Sequence, residues 1–219
     1  MKKAMFLTAV ISLLSILTFS SAVAQEALYD NCVLYSEAVA GSFDPNNPPS
    51  NSAATQDWGC YQTLSEAIYV ATGGTISLPT DASFAEVDAA LKMEEHLPES
   101  ETSSFSTLQA PKVYAVVWDW VNYNNSGGYL VHSGNNACDA GYYYSVYNYQ
   151  SYSRPYVFNP NWDDDISSFA TYEGCNKMYT YEYINFAGSW SSFGSSSPNM
   201  INVYGVNWSD RTSSAGFTP

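Results

Sequence analysis

Apolar positions follow helical spacing in the N-terminal part of the chain and strand-like spacing in the C-terminal part. Residues 63–66 and 83–86 each have the S/T-x-x-E order of a capping box, in which a hydroxyl caps the first turn and the glutamate reaches back to the backbone. The first predicted helix ends at Gly73, a residue suited to a C-cap. Short strands are predicted at residues 32–35 and 75–79. This part therefore reads as a small α+β region.

The C-terminal part has the pattern of an all-β domain. Runs of β-branched and aromatic residues are separated by clusters of Gly, Asn, Ser and Pro. Short strands at regular spacing favour a sandwich or a barrel. The predicted strands lie at residues 113–120, 142–149, 178–183 and 200–204.

The beginning of the chain has the order of a secretory signal peptide. Lys2 and Lys3 precede a short apolar run, and small residues ending at Ala24 supply the cleavage pattern. The run is short for a membrane anchor and no second one follows, so we expect export, to the extracellular space or the periplasm, and no membrane span. A polar, Ser-rich stretch is the predicted linker. The predicted segments are a signal peptide (1–24), the α+β region (25–98), the linker (99–111) and the mainly β domain (112–219).

Four cysteines in an exported chain predict disulfides. An oxidising compartment favours two bridges, and four cysteines allow three pairings. Proximity in sequence favours Cys32–Cys60 and Cys138–Cys175. No C-x-x-C pair is present, so a zinc site is a weak alternative.

Composition and charge exclude several classes of function. The 219 residues include 7 Lys or Arg against 21 Asp or Glu, a formal net charge of −14. Nucleic-acid binding through a basic surface is excluded, because it requires clustered Lys and Arg. The chain has 2 His and lacks the G-x-S-x-G, H-E-x-x-H and P-loop motifs, so we predict that it is not an enzyme.

An internal repeat carries the candidate chemistry. The frame V-[FY]-x-x-N-W-x-D-x-x-S-S occupies residues 157–168 and returns at 203–214. Carboxylates, hydroxyls and backbone carbonyls are hard oxygen ligands that suit Ca²⁺ rather than zinc or copper. One short loop cannot fill a calcium shell, but two loops brought together by a pseudo-twofold pairing can. In the alternative interpretation, the Asp and Ser residues only cap turns.

The motifs resemble those of a microbial-type βγ-crystallin domain, in which two Greek keys form one sandwich. That family has an aromatic-x4-aromatic-x-Gly hairpin and a calcium stretch of the form [ND]-[ND]-x-x-[ST]-S. Residues 163–168 match the stretch throughout, and residues 209–214 match except that Ser209 replaces the first Asn or Asp. The second hairpin matches fully at Tyr181, Phe186 and Gly188. The first hairpin has the aromatics Trp118 and Tyr123, but Asn125 stands where glycine is expected.

The resemblance implies two calcium sites and a non-enzymatic, calcium-stabilised protein. Family practice uses the second Asp and the fifth Ser of each stretch, with backbone carbonyls offered by the hairpins at Asp119 and Glu182. Arg211 adds a positive charge near the second stretch and predicts unequal affinities. The implied metal ligands are Asp164 with Ser167 and Asp210 with Ser213, flanked by Asp163 and Ser209.

Two other functions remain as alternatives. The same fold class includes a secreted metalloproteinase inhibitor, so the longer first copy of the repeat could supply a protease-binding loop. A surface or matrix protein that binds polysaccharide through aromatic loops is the other alternative, because residues 142–156 are rich in Tyr. The competing interpretation is that these tyrosines pack over the sandwich. His132 lies in a strand-like run and is predicted to be a sheet residue rather than a ligand.

Overall fold

The computed structural model describes residues 31–49, 57–95, 110–124, 127–138, 141–154, 160–202 and 204–219. The predicted signal peptide and nearly all of the predicted linker lie outside these residues. The described residues form eleven strands and two helices. The strands are β1 (Asn31–Ser36), β2 (Val39–Ala40), β3 (Asp57–Tyr61), β4 (Lys112–Trp118), β5 (Tyr129–Gly134), β6 (Tyr142–Val146), β7 (Ser168–Thr171), β8 (Lys177–Tyr183), β9 (Ala187–Phe193), β10 (Ser196–Ser197) and β11 (Ser214–Thr218). The helices are α1 (Leu64–Ala71) and α2 (Phe84–Glu95).

The strands form two sheets, so the fold is mainly β as the sequence predicts. One sheet has six strands in the order β10-β7-β4-β5-β1-β3, and the other has five in the order β2-β6-β11-β8-β9. A core of fully buried side chains lies between the sheets, with Tyr114 and Leu130 contributed by the first sheet and Tyr144 and Phe217 by the second. The Tyr114 and Tyr144 rings stack at 3.8 Å between centroids.

Strands of the 25–98 region pair with strands of the 112–219 region. β1 runs parallel to β5 and antiparallel to β3, and β2 pairs with β6 of the other sheet. Both helices lie on the outer face of the six-stranded sheet, where Ile68 and Val87 join a second core with Val116 and Val131. The six-stranded sheet is therefore buried on both faces, which explains its nearly continuous apolar strands.

Both predicted capping boxes are confirmed. The Thr63 hydroxyl accepts from the Glu66 amide at 3.1 Å while the Glu66 carboxylate accepts from the Thr63 amide. At α2, the Glu86 carboxylate accepts from the Ser83 amide at 2.7 Å. These bonds lower the pKa of the Glu86 carboxyl, because they favour its charged form.

Two of the predicted strands are wrong. Residues 75–79 form no strand, because their first amides bond to the end of α1: the Ile76 amide donates to the Thr72 hydroxyl at 3.2 Å. The described part of 200–204 makes only an isolated bridge, Ile201 to Asn207. There the Asn202 side chain accepts from the Tyr204 amide at 3.0 Å and so holds a tight turn. The strands predicted near 32–35, 113–120, 142–149 and 178–183 are confirmed, with shifted ends.

Both predicted disulfides are present. Cys32–Cys60 joins the directly paired positions of β1 and β3, and Cys138–Cys175 joins two loops near the inner core. Disulfides of this kind are typical of an oxidising compartment. Within the described residues, no helix has the length and apolar character needed to cross a bilayer.

The segment that follows β2 packs on the outer face of the five-stranded sheet. Phe43 packs against the rings of Tyr143, Tyr181 and Phe186, and its exposure is only 9%. A methyl group on Gly216 would lie 2.6 Å from the Phe43 ring, so glycine is required beneath it. The N-terminal region therefore contributes to the stability of the C-terminal sheet.

Candidate functional site

Two hairpins with the same backbone conformation carry the aromatic motif. A single 3-10 turn, Val121–Tyr123, follows β4, and another, Ile184–Phe186, follows β8. The last two residues of each turn are left-handed, with φ of 60° and 55° at Asn122 and Tyr123 and 58° at both Asn185 and Phe186. Such values are uncommon outside glycine, so their recurrence at matching positions is evidence of a duplicated unit.

Each hairpin places an aromatic ring on a glycine. A methyl group on Gly188 would lie 2.6 Å from the Tyr183 ring, and one on Gly127 would lie 2.1 Å from the Trp120 ring. Gly127 therefore leaves room for an aromatic ring in the first hairpin, as Gly188 does in the second. Asn125, the departure from the family pattern, lies outside the described residues.

The repeated stretches bond to these hairpins in the same way in both copies. The Ser167 amide donates to the Trp118 carbonyl and the Ser213 amide donates to the Tyr181 carbonyl, each at 2.9 Å. The last serine of each stretch, Ser168 or Ser214, donates its hydroxyl to the hairpin. The duplicated sequence thus produces a duplicated hydrogen-bond pattern.

The two stretches also cross and bond to each other. The Asp164 amide donates to the Thr212 carbonyl and the Asp210 amide donates to the Ile166 carbonyl, each at 3.2 Å. Asp164 and Asp210 are both left-handed, with φ of 53° and 56°. The pseudo-twofold pairing of loops that the sequence predicts is therefore present.

The structure pairs the predicted ligands between copies and not within one copy. The Ser213 hydroxyl lies 3.2 Å from the Asp164 Oδ1 atom, and the Ser167 hydroxyl lies 2.6 Å from the Asp210 Oδ1 atom. The resemblance implied Asp164 with Ser167 and Asp210 with Ser213. Because the loops cross, each aspartate meets the serine of the other copy.

We define the Asp164 site by Asp163, Asp164, Ser213 and the Glu182 carbonyl. The Ser213 hydroxyl is 2.9 Å from that carbonyl, so the hairpin offers a backbone oxygen as expected. Burial raises the pKa of the Asp164 carboxyl, and the neighbouring Asp163 charge raises it further. Gln150 donates to the Oδ2 atom of Asp163 at 2.6 Å, while the buried Oδ1 atom has no hydrogen-bond partner among the described residues.

We define the Asp210 site by Asp119, Asp165, Asp210 and Ser167. One carboxylate oxygen from each aspartate lies within 4.8 Å of the other two. The three groups line an open cleft of about 520 Å³, together with Ser209. The Ser209 amide donates to the side chain of Asn207 at 2.9 Å, so this residue also supports the turn.

A buried arginine enters the Asp210 site. The guanidinium of Arg154 forms ion pairs with Asp119, at 3.2 Å, and with Asp165. The pKa of the Asp119 carboxyl is nevertheless raised, because burial outweighs the attraction of the guanidinium. The sequence analysis did not select Arg154 or Asp165. The composition could have pointed to Arg154, because the two arginines of a strongly acidic chain are expected to form specific ion pairs.

Arg211 lies beside the Asp164 site, whereas the sequence analysis predicted it near the site of its own stretch, 209–214. Its guanidinium donates to the Glu182 carboxylate at 2.8 Å, beside the Asp164 site, and lies over the Trp208 ring. This bond lowers the pKa of the Glu182 carboxyl. The reason is again the crossing of the loops, which carries the second stretch to the first site.

The Tyr-rich stretch packs inside the molecule over much of its described length. Tyr143, Tyr144, Tyr149 and Tyr152 are buried. His132 is also fully buried in β5, with its Nε2 atom 3.4 Å from the Tyr149 hydroxyl. The packing interpretation is therefore confirmed for these residues, while protease inhibition and polysaccharide binding stay predictions from the sequence.

No protein-family model matches the chain, and no curated protein matches it. Three solved structures are similar. The βγ-crystallin from Ciona intestinalis is 16% identical, with a TM-score of 0.31, over 46% of this chain and 94% of that one. A βγ-crystallin from an archaeon is 18% identical, with a TM-score of 0.29, over 47% and 94%. A structure described under the evolution of the eye lens βγ-crystallin domain fold is 19% identical, with a TM-score of 0.32, over 54% and 95%.

The geometry of the chain itself gives the fold assignment. Two sheets enclose one core, two hairpins share one backbone conformation, and the two stretches cross to pair between copies. The chain therefore has the βγ-crystallin-like fold that its motifs predict.

Proposed function

We propose that the chain is an exported, non-enzymatic calcium-binding protein in which calcium at the Asp164 site stabilises the fold. One observation carries the proposal: an oxygen-only set of groups from both copies converges between Asp164 and Ser213, beside the Glu182 carbonyl. Neither Asp163 nor Asp164 forms an ion pair with a cation of the described chain.

The donor set fits calcium better than other common metals. Calcium takes 6–8 oxygen ligands from carboxylates, carbonyls, hydroxyls and water, whereas zinc prefers nitrogen and sulfur. Asp163, Asp164, Ser213 and the Glu182 carbonyl would supply the protein oxygens. The buried Asp163 Oδ1 atom is an acceptor whose hydrogen bonding is unmet within the described residues, and a cation would satisfy it.

Calcium at this position would link the two copies of the repeat. Asp164 comes from the first stretch and Ser213 from the second, so the ion would close a contact that exists only in the folded chain. An ion that binds only the folded state stabilises it by about 1.4 kcal/mol at a tenfold excess over the dissociation constant. Extracellular modules bind calcium at roughly 10⁻⁴–10⁻³ M.

Export is part of the proposal. The charged and apolar order at the beginning of the chain supports a signal peptide. The two disulfides support an oxidising location, either extracellular or periplasmic.

Thermal unfolding of the purified chain tests the proposal. We expect the midpoint to rise with millimolar calcium and to return when the ion is chelated with EGTA. Magnesium at the same concentration is the control, and we expect a smaller shift because magnesium releases its water reluctantly. Identical unfolding midpoints in calcium and in EGTA would contradict the proposed function.

A further inference from the structure

The Asp210 site already contains a cation that belongs to the chain. The Arg154 side chain is fully buried and forms ion pairs with Asp119, at 3.2 Å, and with Asp165. It also donates to the Gly127 carbonyl at 3.1 Å. An arginine cannot lose its proton in a protein, so this positive charge is permanent.

The two arginines of the chain occupy related but unequal positions. Arg154 lies 4.8 Å from the centre of the Trp162 ring, and Arg211 lies 4.9 Å from the centre of the Trp208 ring, the matching tryptophan of the repeat. The Arg211 side chain, however, is 36% exposed and forms its ion pair with the Glu182 carboxylate, which is not one of the groups that define the Asp164 site. Arg154 alone lies buried between two carboxylates of its cluster.

We propose that Arg154 takes the place of a metal ion at the Asp210 site, so that the native chain binds one calcium and not two. The expected number of one calcium in the native chain depends on the function proposed for the Asp164 site. Calcium could enter the Asp210 site only if the guanidinium left the buried Asp165 carboxylate, the partly buried Asp119 carboxylate and its place over the Trp162 ring. Displacing a buried, paired charge is strongly unfavourable, because its desolvation has already been compensated by these partners.

Removal of the guanidinium should open the site. The carboxylate oxygens of Asp119, Asp165 and Asp210 lie within 4.8 Å of one another. Calcium binds oxygens at about 2.3–2.6 Å, so ligands of one ion lie no more than about 5 Å apart. The three groups therefore meet the distance requirement for a shared ion once Arg154 is replaced by an uncharged side chain.

Isothermal titration with calcium chloride measures the number of sites directly. We expect one site in the native chain, two in Arg154→Met, and one in Arg211→Met, the matched control in which the other arginine over a tryptophan is removed. In EGTA, Arg154→Met should unfold at a lower temperature than the native chain. Addition of calcium should then raise the unfolding midpoint of Arg154→Met by more than it raises that of the native chain. Two sites in the native chain, or no additional site in Arg154→Met, would overturn the inference.

The outcomes separate this inference from the proposed function. If the native chain binds no calcium and Arg154→Met binds one ion, the Asp164 site is not a calcium site. The role proposed for Arg154 is then still supported. If Arg154→Met does not fold, Asp119→Asn replaces it, because it weakens the ion pair and keeps the arginine. We then expect a lower midpoint with an unchanged number of calcium sites, and the loss of one site would contradict the inference.

Discussion

The Asp164 carboxylate accepts a hydrogen bond from the Ser213 hydroxyl at 3.2 Å, although the two residues belong to different copies of the repeat. The reverse pair, Asp210 and Ser167, lies at 2.6 Å. Each copy therefore completes the site of the other, and neither loop has a full site by itself.

The Asp164 side chain is expected to control calcium affinity. Asp164→Ala removes a carboxylate from the proposed site, and we predict at least a tenfold weaker affinity, about 1.4 kcal/mol. Asp210→Ala is the matched variant from the other copy, and it should bind calcium as the native chain does. Titration calorimetry of the two variants checks the difference, and equal losses in both would contradict a single site.

Phe43 is expected to stabilise the five-stranded sheet from outside. Its ring fills an aromatic cluster above Gly216, so Phe43→Ala leaves a cavity and should lower the free energy of unfolding by about 3–5 kcal/mol. Tyr204→Ala is the control, because that side chain is 88% exposed and should change stability little. Denaturant unfolding measures both. A small effect of Phe43→Ala would show that the sheet does not depend on the Phe43 ring.

Much of the fold was predictable because its signals are local. The capping boxes at Thr63 and Ser83 require only neighbouring residues, and both are present. The parallel pairing of β1 with β5 was not predictable, because no local pattern records which strands meet across the predicted linker. The strand predicted at 75–79 was wrong for a related reason, since the end of α1 takes its amides.

Some residues of the two candidate sites were selected from the sequence, but their pairing was not. The repeated frame identified Asp164 and Asp210, yet it contains no information on which serine each would meet. The crossing of the loops decides that, and it also moves Arg211 to the Asp164 site. Arg154 lies outside the frame, so its place in the Asp210 site depends on the three-dimensional fold alone.

The buried His132 predicts a specific loss of stability in acid. Burial lowers the pKa of His132 to about 3, against 6.5 in the unfolded chain. Between these values the unfolded state binds the extra proton, so the free energy of unfolding falls as the pH drops, by up to about 1.4 kcal/mol per pH unit from this group. In denaturant unfolding from pH 7 to pH 4, the free energy of unfolding of His132→Phe should therefore fall less steeply with decreasing pH than that of the native chain. Parallel curves for the two proteins would exclude the effect.

The Cys138–Cys175 disulfide closes a long loop beside the inner core. Its cysteines are 37 residues apart, and for a loop of this length the chain-entropy model gives about 4 kcal/mol of stabilisation. The double variant Cys138→Ala/Cys175→Ala should lose about that much in denaturant unfolding. The Cys32–Cys60 pair, 28 residues apart, is the comparison, and its removal should cost slightly less. A loss below about 1 kcal/mol for the first pair would contradict this loop-closure estimate.

Anomalous diffraction from crystals grown in calcium tests calcium binding most directly. We predict one calcium peak, in contact with the Asp164 carboxylate, the Ser213 hydroxyl and the Glu182 carbonyl, and no peak among Asp119, Asp165 and Asp210. A calcium-saturated crystal with no peak between Asp164 and Ser213 would contradict the proposed function.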